Sequence, residues 1–349
     1  MNTKPKILYF ETLPTSFTKR DHQILNELGN LTIFNFGINK SLKTILPAFI
    51  NQLTFLIRES RSTDYIFIKF LGYHSLLPLI FSKLFRIQTY CINGGTDCHY
   101  FPDYKYGNFY KAPYSIFTKL SYKLANNIIT LHHTLVYTPY TYDPAGYPSQ
   151  GFKSFVKNLK PNIIEINNGY DFEVFKDYGF VRKPFTFVTA ATDYFGSNFF
   201  IKGLDLYIEL ANHFNNYNWT IIGDIGKESF IPENITIIPK LNQNELINIL
   251  NKNTFYVQLS SCEGFPNTLS EAMLCGCIPI GTNVFAIPDI INGSGFILDT
   301  KDINKAINLI NDAVLCDRDI LRIKSREQII NNFSIQKRKE AFNKLFPNK

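Results

Sequence analysis

Short apolar runs recur along the first half of the chain, at Lys6–Phe10, Leu31–Phe36, Tyr65–Phe70, Thr89–Ile92, Ile128–Leu131 and Ile163–Ile166. Each has the length of a strand. Between several of them the spacing changes to that of a helix. Ile45, Leu46, Phe49, Ile50, Leu53, Leu56 and Ile57 form an i, i+3, i+4, i+7 stripe, and Leu77–Leu84 and Ile116–Leu124 look similar. Strands alternating with helices predict a parallel sheet covered on both faces. A polar stretch, Asp171–Lys183, closed by Pro184, then divides the chain. A second alternation follows, with strands expected at Phe185–Ala190, Trp219–Ile222, Ile235–Ile238, Phe255–Leu259, Ile278–Gly281 and Gly295–Leu298. Helices are expected at Gly203–His213, Asn244–Asn251 and Thr268–Cys275, and again from Lys301 onward. Two doubly wound α/β domains place a ligand cleft between the carboxyl ends of their sheets. Many chemistries use such a cleft, so function must be read from the site.

Composition agrees with two domains, because 349 residues exceed what one core usually serves. The segment MNTKPKILYFE lacks the apolar run and small-residue cleavage site of a signal peptide, and no run approaches the length of a membrane span. The six cysteines show neither a CxxC pair nor a histidine at ligand spacing. They read as reduced thiols of a cytoplasmic protein rather than as a zinc site. The net charge of +7 sits entirely in residues 1–180, with 19 Lys and Arg against 12 Asp and Glu. That asymmetry points to an anionic surface or acceptor facing the first half. A modest excess serving solubility is the other reading. No nucleic-acid partner is expected.

Residues 261–281, SCEGFPNTLSEAMLCGCIPIG, carry the most chemistry. A strand ends near Ser260, a tight loop with Gly264 and Pro266 follows, and Thr268 opens a helix whose inner stripe is Leu269, Ala272, Met273 and Gly276. The loop brings Glu263 to the carboxyl edge of the sheet. The helix start offers unpaired backbone N–H groups and the positive end of the macrodipole, a ready phosphate site. Glu263 and Glu271 flank it. Carboxylates repel phosphate, so here they are suited to accept hydrogen bonds from sugar or ribose hydroxyls. Thr268-x-x-Glu271 is also a capping box, in which Glu271 would only reach back to its own helix terminus.

This stretch, EGFPNTLSEAMLCG, closely resembles the E-x7-E signature of the family-4 glycosyltransferases, which adopt the two-domain GT-B fold. The resemblance implies that Glu263 contacts the transferred sugar, that Glu271 contacts the nucleotide ribose, and that amides around Thr268 and Leu269 hold the diphosphate. Gly264, Phe265, Pro266 and Asn267 complete that donor loop. Lys202-Gly203, opening GLDLYIELANHF, matches the family's Lys-Gly pair; Lys202 would neutralise charge on the leaving diphosphate, with Gly203 beside it. INNGYDFEVF (166–175) resembles the interdomain segment, and FSIQKRKEAFNKLF (333–346) the helix that crosses back to the first domain. The implied division is an acceptor domain at 1–172, a nucleotide-sugar domain at 185–332 and the crossing helix at 333–349.

The sequence also departs from the family. AATDYFGSNFFIKG lacks the arginine usually paired with the lysine, and CINGGTDCHY replaces a histidine-glycine pair facing the sugar. Asn93, Gly94 and Gly95 stand there, with Asp97 and His99 as candidate catalytic substitutes. ETLPTSFTKRD follows the first strand in place of a glycine-rich turn. Asp317-Arg318-Asp319 has the DxD form of metal-dependent transferases but reads as a helix cap. Gly226-Lys227 is not a phosphate loop, since Glu228 follows. His132-His133 has no carboxylate or cysteine spaced for a metal and reads as structural.

The activity implied is metal-independent, retaining transfer of a hexose or N-acetylhexosamine from a UDP- or GDP-sugar, with the nucleotide-sugar as co-substrate and no further cofactor. The acceptor would be a hydroxyl of a saccharide or lipid-linked saccharide in bacterial-type surface glycan synthesis. The alternatives are a catalytically inactive GT-B carbohydrate- or partner-binding module and a GT-B nucleotide-sugar epimerase. Lys40, Lys43, Arg58, Arg61, Lys83 and Arg86 flank the first two apolar stripes. That pattern fits a peripheral position on the anionic inner face of the cell membrane. It also fits ordinary core helices with solvated ends, and Pro47 argues against a long surface helix.

Overall fold

The computed structural model describes residues 4–37, 41–226 and 231–346. Lys40, Lys227 and Glu228, named above, lie outside the described residues.

The first domain contains strands β1 (Lys6–Glu11), β2 (Asn30–Asn35), β3 (Tyr65–Lys69), β4 (Gln88–Ile92) and β5 (Asn127–Thr130), then a two-residue antiparallel ladder of β6 (Thr138–Pro139) and β7 (Ser149–Gln150), then β8 (Asn162–Glu165). The main sheet has the order β2-β1-β3-β4-β5-β8 and is parallel throughout. Parallel pairing buries both faces, and β3 is accordingly buried at every position. Right-handed crossovers fix which face each helix covers. The connections that run from β2 past β1 to β3, and on to β4 and β5, all travel the same way. Helices Leu42–Glu59, Leu76–Phe85 and Ala112–Leu124 therefore share one face and pack side by side. The helix Ser16–Leu28 crosses in the other direction and takes the opposite face, where the last helix, Ile335–Asn343, joins it.

The second domain contains β9 (Thr186–Asp193), β10 (Asn218–Asp224), β11 (Ile235–Ile238), β12 (Phe255–Gln258), β13 (Ile278–Thr282) and β14 (Phe296–Leu298) in the parallel order β11-β10-β9-β12-β13-β14. The order reverses between β9 and β12, so their outgoing connections diverge and leave a crevice at the carboxyl edge. Phe187 of β9 anchors the core, stacked between Trp219 at 4.4 Å and Phe255 at 5.0 Å.

Every apolar run named from the sequence is a strand, and the two parallel six-stranded sheets match the expected fold class. Three segments differ from the sequence reading. ETLPTSFTKRD turns into the helix Ser16–Leu28, started by a capping box in which the Thr15 hydroxyl accepts the Thr18 amide. The helix Leu42–Glu59 runs through Pro47. The polar divider is pinned to the second domain: Asp177 pairs with Arg182 at 3.2 Å and Arg322 at 2.9 Å, and Arg182 donates to the Leu250 carbonyl at 3.1 Å.

The last helix packs on the first domain. Arg338 makes a bidentate pair with Asp21, at 2.8 and 2.9 Å, with both side chains buried, and Phe342 stacks on Phe67. Asp317 accepts the Ile320 amide at 3.2 Å, the cap expected for the Asp-Arg-Asp motif.

Candidate active site

A cavity of about 480 Å³ opens between the carboxyl edges of the two sheets. The first domain lines it with Phe17, Phe70, Gly94, Gly95, Thr96 and Tyr106. From the second come the ends of β9 and β12 and the whole loop from Glu263 to Thr268. Lys202 is the one cation among the described residues that line it.

Lys202 and Glu263, named separately from the sequence, meet at 2.7 Å. Gly203 makes this possible. Its φ is +69°, and a Cβ there would sit 1.9 Å from the Leu259 carbonyl oxygen, so only glycine lets the chain turn past β12. Gln258 and Ser260, at the polar end of an otherwise buried strand, donate to the same carboxylate oxygen, Glu263 Oε1, at 3.0 and 2.8 Å. The sequence reading overlooked both; two consecutive polar side chains on one side of a buried strand's carboxyl end were the available signal.

The helix after the loop is Asn267–Leu274, preceded by Pro266, with no side-chain cap. Its first N–H groups therefore lack a capping side chain at the cavity wall. The capping-box reading of Thr268 and Glu271 fails here. Glu271 reaches away from its own terminus and accepts from Arg20 of the first domain at 2.6 Å. Burial pushes the Glu271 carboxyl above its ordinary range against the opposing pull of Arg20. Glu271 does not line the cavity. Asn267 is held across the interface too, its Oδ1 accepting from Asn168 at 3.1 Å and from the Tyr170 hydroxyl at 3.0 Å.

The two domains touch through glycine. A Cβ on Gly264 would lie 1.9 Å from the Gly94 carbonyl oxygen, so the Glu263–Thr268 loop and the Asn93-Gly94-Gly95 loop meet backbone to backbone. Asp97 shapes that second loop. Its carboxylate accepts the amides of Leu71 at 2.9 Å, Gly94 at 3.0 Å and Gly95 at 3.2 Å. It is fully buried and does not line the cavity, so the expectation that it faces the sugar is corrected: its oxygens are committed to backbone amides. His99 is likewise buried, with Nδ1 2.9 Å from Cys262 Sγ, and burial drops its pKa to about 3.

His132 and His133 keep a structural reading but gain partners that the sequence did not show. Folding brings Asp289 of the second domain to 2.9 Å from His132 Nε2, while His132 Nδ1 pairs with Thr134 at 2.8 Å. Glu165 lies near as well, and His132, His133 and Glu165 together could hold a metal ion. Both nitrogens of His132 are partnered, so the group serves as an interdomain hydrogen bond in this structure.

Residues 194–334 match the family model described as glycosyl transferases, group 1. The second domain is thus of the glycosyl transferases group 1 type. The match spans β10 to β14, Lys202-Gly203 and the whole Glu263–Glu271 block. No curated protein sequence matches the chain. Among solved structures, a sucrose-phosphate synthase from Thermosynechococcus elongatus aligns over 98% of both chains at 12% identity, with a TM-score of 0.73. A glycosyltransferase from Rickettsia africae aligns over 99% of this chain and 98% of its own at 13% identity, TM-score 0.67. HepE of Anabaena, in complex with UDP and glucose, aligns over 98% and 99% at 12% identity, TM-score 0.65. At these identities the likeness is one of fold, and the fold is GT-B.

Proposed function

We propose that this chain is a retaining glycosyltransferase that moves a hexose or N-acetylhexosamine from a UDP- or GDP-sugar to a hydroxyl of a saccharide or lipid-linked saccharide, without an essential metal. One observation carries the reading: the Lys202–Glu263 pair stands in the interdomain cavity beside the uncapped start of Asn267–Leu274. The helix start and Lys202 together suit a diphosphate. Lys202, Gln258 and Ser260 all take Glu263 Oε1, which leaves Oε2 for a sugar hydroxyl. The UDP and glucose in the HepE structure support a nucleotide-sugar in the equivalent cleft.

In the transfer, the bond from the anomeric carbon to the diphosphate breaks and a bond to the acceptor oxygen forms, while the acceptor proton passes to the leaving diphosphate. Retention without a covalent nucleophile requires the acceptor to approach from the face the diphosphate leaves. Lys202 and the helix amides would stabilise the charge that grows on the departing oxygen, and the close Gly264–Gly94 contact would exclude water. Asp97 acts through the Gly94-Gly95 loop as a positioning residue.

The test is nucleotide release from a panel of UDP- and GDP-sugars, with EDTA present, alongside thermal shift with UDP and GDP. Release in EDTA is the expected result. A thermal shift with no release from any donor would make the chain a binding module. Release restored only by manganese would overturn metal independence.

A further inference from the structure

The outer face of the first domain's three-helix layer has inverted polarity. Helix Ala112–Leu124 buries Ser115, Thr118 and Ser121. Ser75 donates to Ser121 at 2.8 Å, and Ser121 donates to the Gly72 carbonyl at 2.9 Å. Its apolar residues Ile116, Phe117 and Leu120 point outward. An amphipathic helix on a water-facing surface does the reverse. The adjacent helix Leu76–Phe85 exposes Ile80 and Leu84, the latter by 71%. Leu42–Glu59 exposes Leu46, Ile50, Leu53 and Ile57, which share one side of the helix. Single exposed leucines need no explanation, but a surface continuous over three neighbouring helices does.

Charge selects what covers it. Lys43, Arg58, Lys83, Arg86, Lys119 and Lys123 are all exposed along this layer. The three helices contain one acidic residue, Glu59, which is already bonded to Lys6 and Arg58. A second copy of this face would set like charges against one another. An anionic bilayer satisfies both the apolar side chains and the cations. Among the described residues no helix is long and apolar enough to cross a membrane. Contact would therefore stop at the headgroup boundary. A recess of about 260 Å³ lies between this side and the cleft: it shares the wall residues Phe70 and Thr96 with the interdomain cavity and has Tyr114, at the start of the inverted helix, in its wall.

We propose that the first domain docks on an anionic membrane surface through the outer face of these three helices, which sets the mouth of the recess at the lipid headgroups. The part of this that concerns an acceptor rests on the transferase reading above; the docking does not.

Flotation of the full chain with vesicles of phosphatidylglycerol and phosphatidylcholine, against phosphatidylcholine alone, tests it. The chain is expected to float with the anionic vesicles only, less so at high salt. Each lysine removed, in Lys119→Ala and Lys123→Ala, should lower partitioning about fivefold. Leu84→Glu and Ile116→Glu should abolish it, whereas Leu315→Glu, on an exposed site of the second domain, should not. Wild-type chain that stays with the soluble fraction, or Leu84→Glu that floats like wild type, overturns the proposal. So does a concentration-dependent dimer that Leu84→Glu dissolves, since a second copy would then cover the face. Thermal shift with UDP and with GDP, run on every variant, separates the two readings. A retained nucleotide shift with no flotation sinks docking alone, and flotation with no shift from either nucleotide in wild type sinks the transferase reading alone.

Discussion

Arg20 and Glu271 are 251 residues apart in sequence and 2.6 Å apart in the fold, and their pair joins the first domain to the helix that follows the Glu263–Thr268 loop. The carboxylate expected from the sequence to meet a ribose is thus occupied by a guanidinium from the other domain. A nucleotide that used Glu271 would have to share it with Arg20 or displace it, which would couple donor binding to the closure of the cleft.

Glu271→Ala should weaken UDP binding by about 1–3 kcal/mol, measured calorimetrically, if the carboxylate accepts ribose hydroxyls. Unchanged affinity with a lowered melting temperature would make the pair a domain latch and nothing more. Arg20→Ala strands a buried carboxylate, at a cost on the order of 3 kcal/mol. Because burial holds the Glu271 pKa above its unfolded value, stability from this group is present in acid and lost as pH rises. The Arg20→Ala deficit should accordingly grow from acid to neutral pH, and a pH-independent deficit would contradict the assignment.

Lys202→Ala should lower kcat about a hundredfold while changing KM for the donor little, since the charge it meets develops on the way to the transition state. Steady-state kinetics with the active donor read this directly. A rise in KM at constant kcat would reduce Lys202 to an anchor.

Gly264→Ala puts a Cβ against a backbone carbonyl that has no freedom to rotate away. The domains must separate locally, at about 1–3 kcal/mol by the usual cost of overpacking. Lower melting temperature and lower turnover are expected together. A variant that matches wild type in both would show that the loops have slack the structure lacks.

Asp143 gives a pH-dependent test of the interface. Burial pushes its carboxyl up, but hydrogen bonds from Ser261 and Tyr104, with Lys301 beside it, hold it below the ordinary range. A depressed pKa means stability present above the unfolded value, near 3.9, and lost as pH falls through the folded one. Asp143→Asn should cost about 1.5–3 kcal/mol at pH 7, and the difference from wild type should vanish in strong acid. Parallel melting curves across that range would refute it.

The sheets were legible because parallel strands buried on both faces are continuous apolar runs, as in Tyr65–Lys69 and Ile278–Thr282. The Glu263–Thr268 loop at the cavity was legible because glycine, proline and two glutamates lie within one short segment. Arg20 was not, because its meaning depends on a partner in the other domain and its helix follows a stretch rich in threonine and proline. Asp97 was misplaced, and the Asp289 partner of His132 was invisible, for the same reason: backbone amides and Asp289 reach them only through tertiary contact. The apolar stripe of Leu42–Glu59 carried the right period but left open which side faces the sheet. Burial resolves it, with Leu56 inside and Ile50 and Ile57 outside.

The closing of the last helix onto the first domain has a consequence for how the protein is made. Asp21 is buried with Arg338 as its counter-ion, 317 residues further along the chain. At roughly 5–20 residues per second, a ribosome needs about 15–60 s to supply that arginine after the aspartate has emerged. Through that interval Asp21 has the buried Lys69 near it but lacks its guanidinium partner, and Phe67 lacks the stacked ring of Phe342. The nascent first half stays without these contacts until Ile335–Asn343 has been made and docks on it.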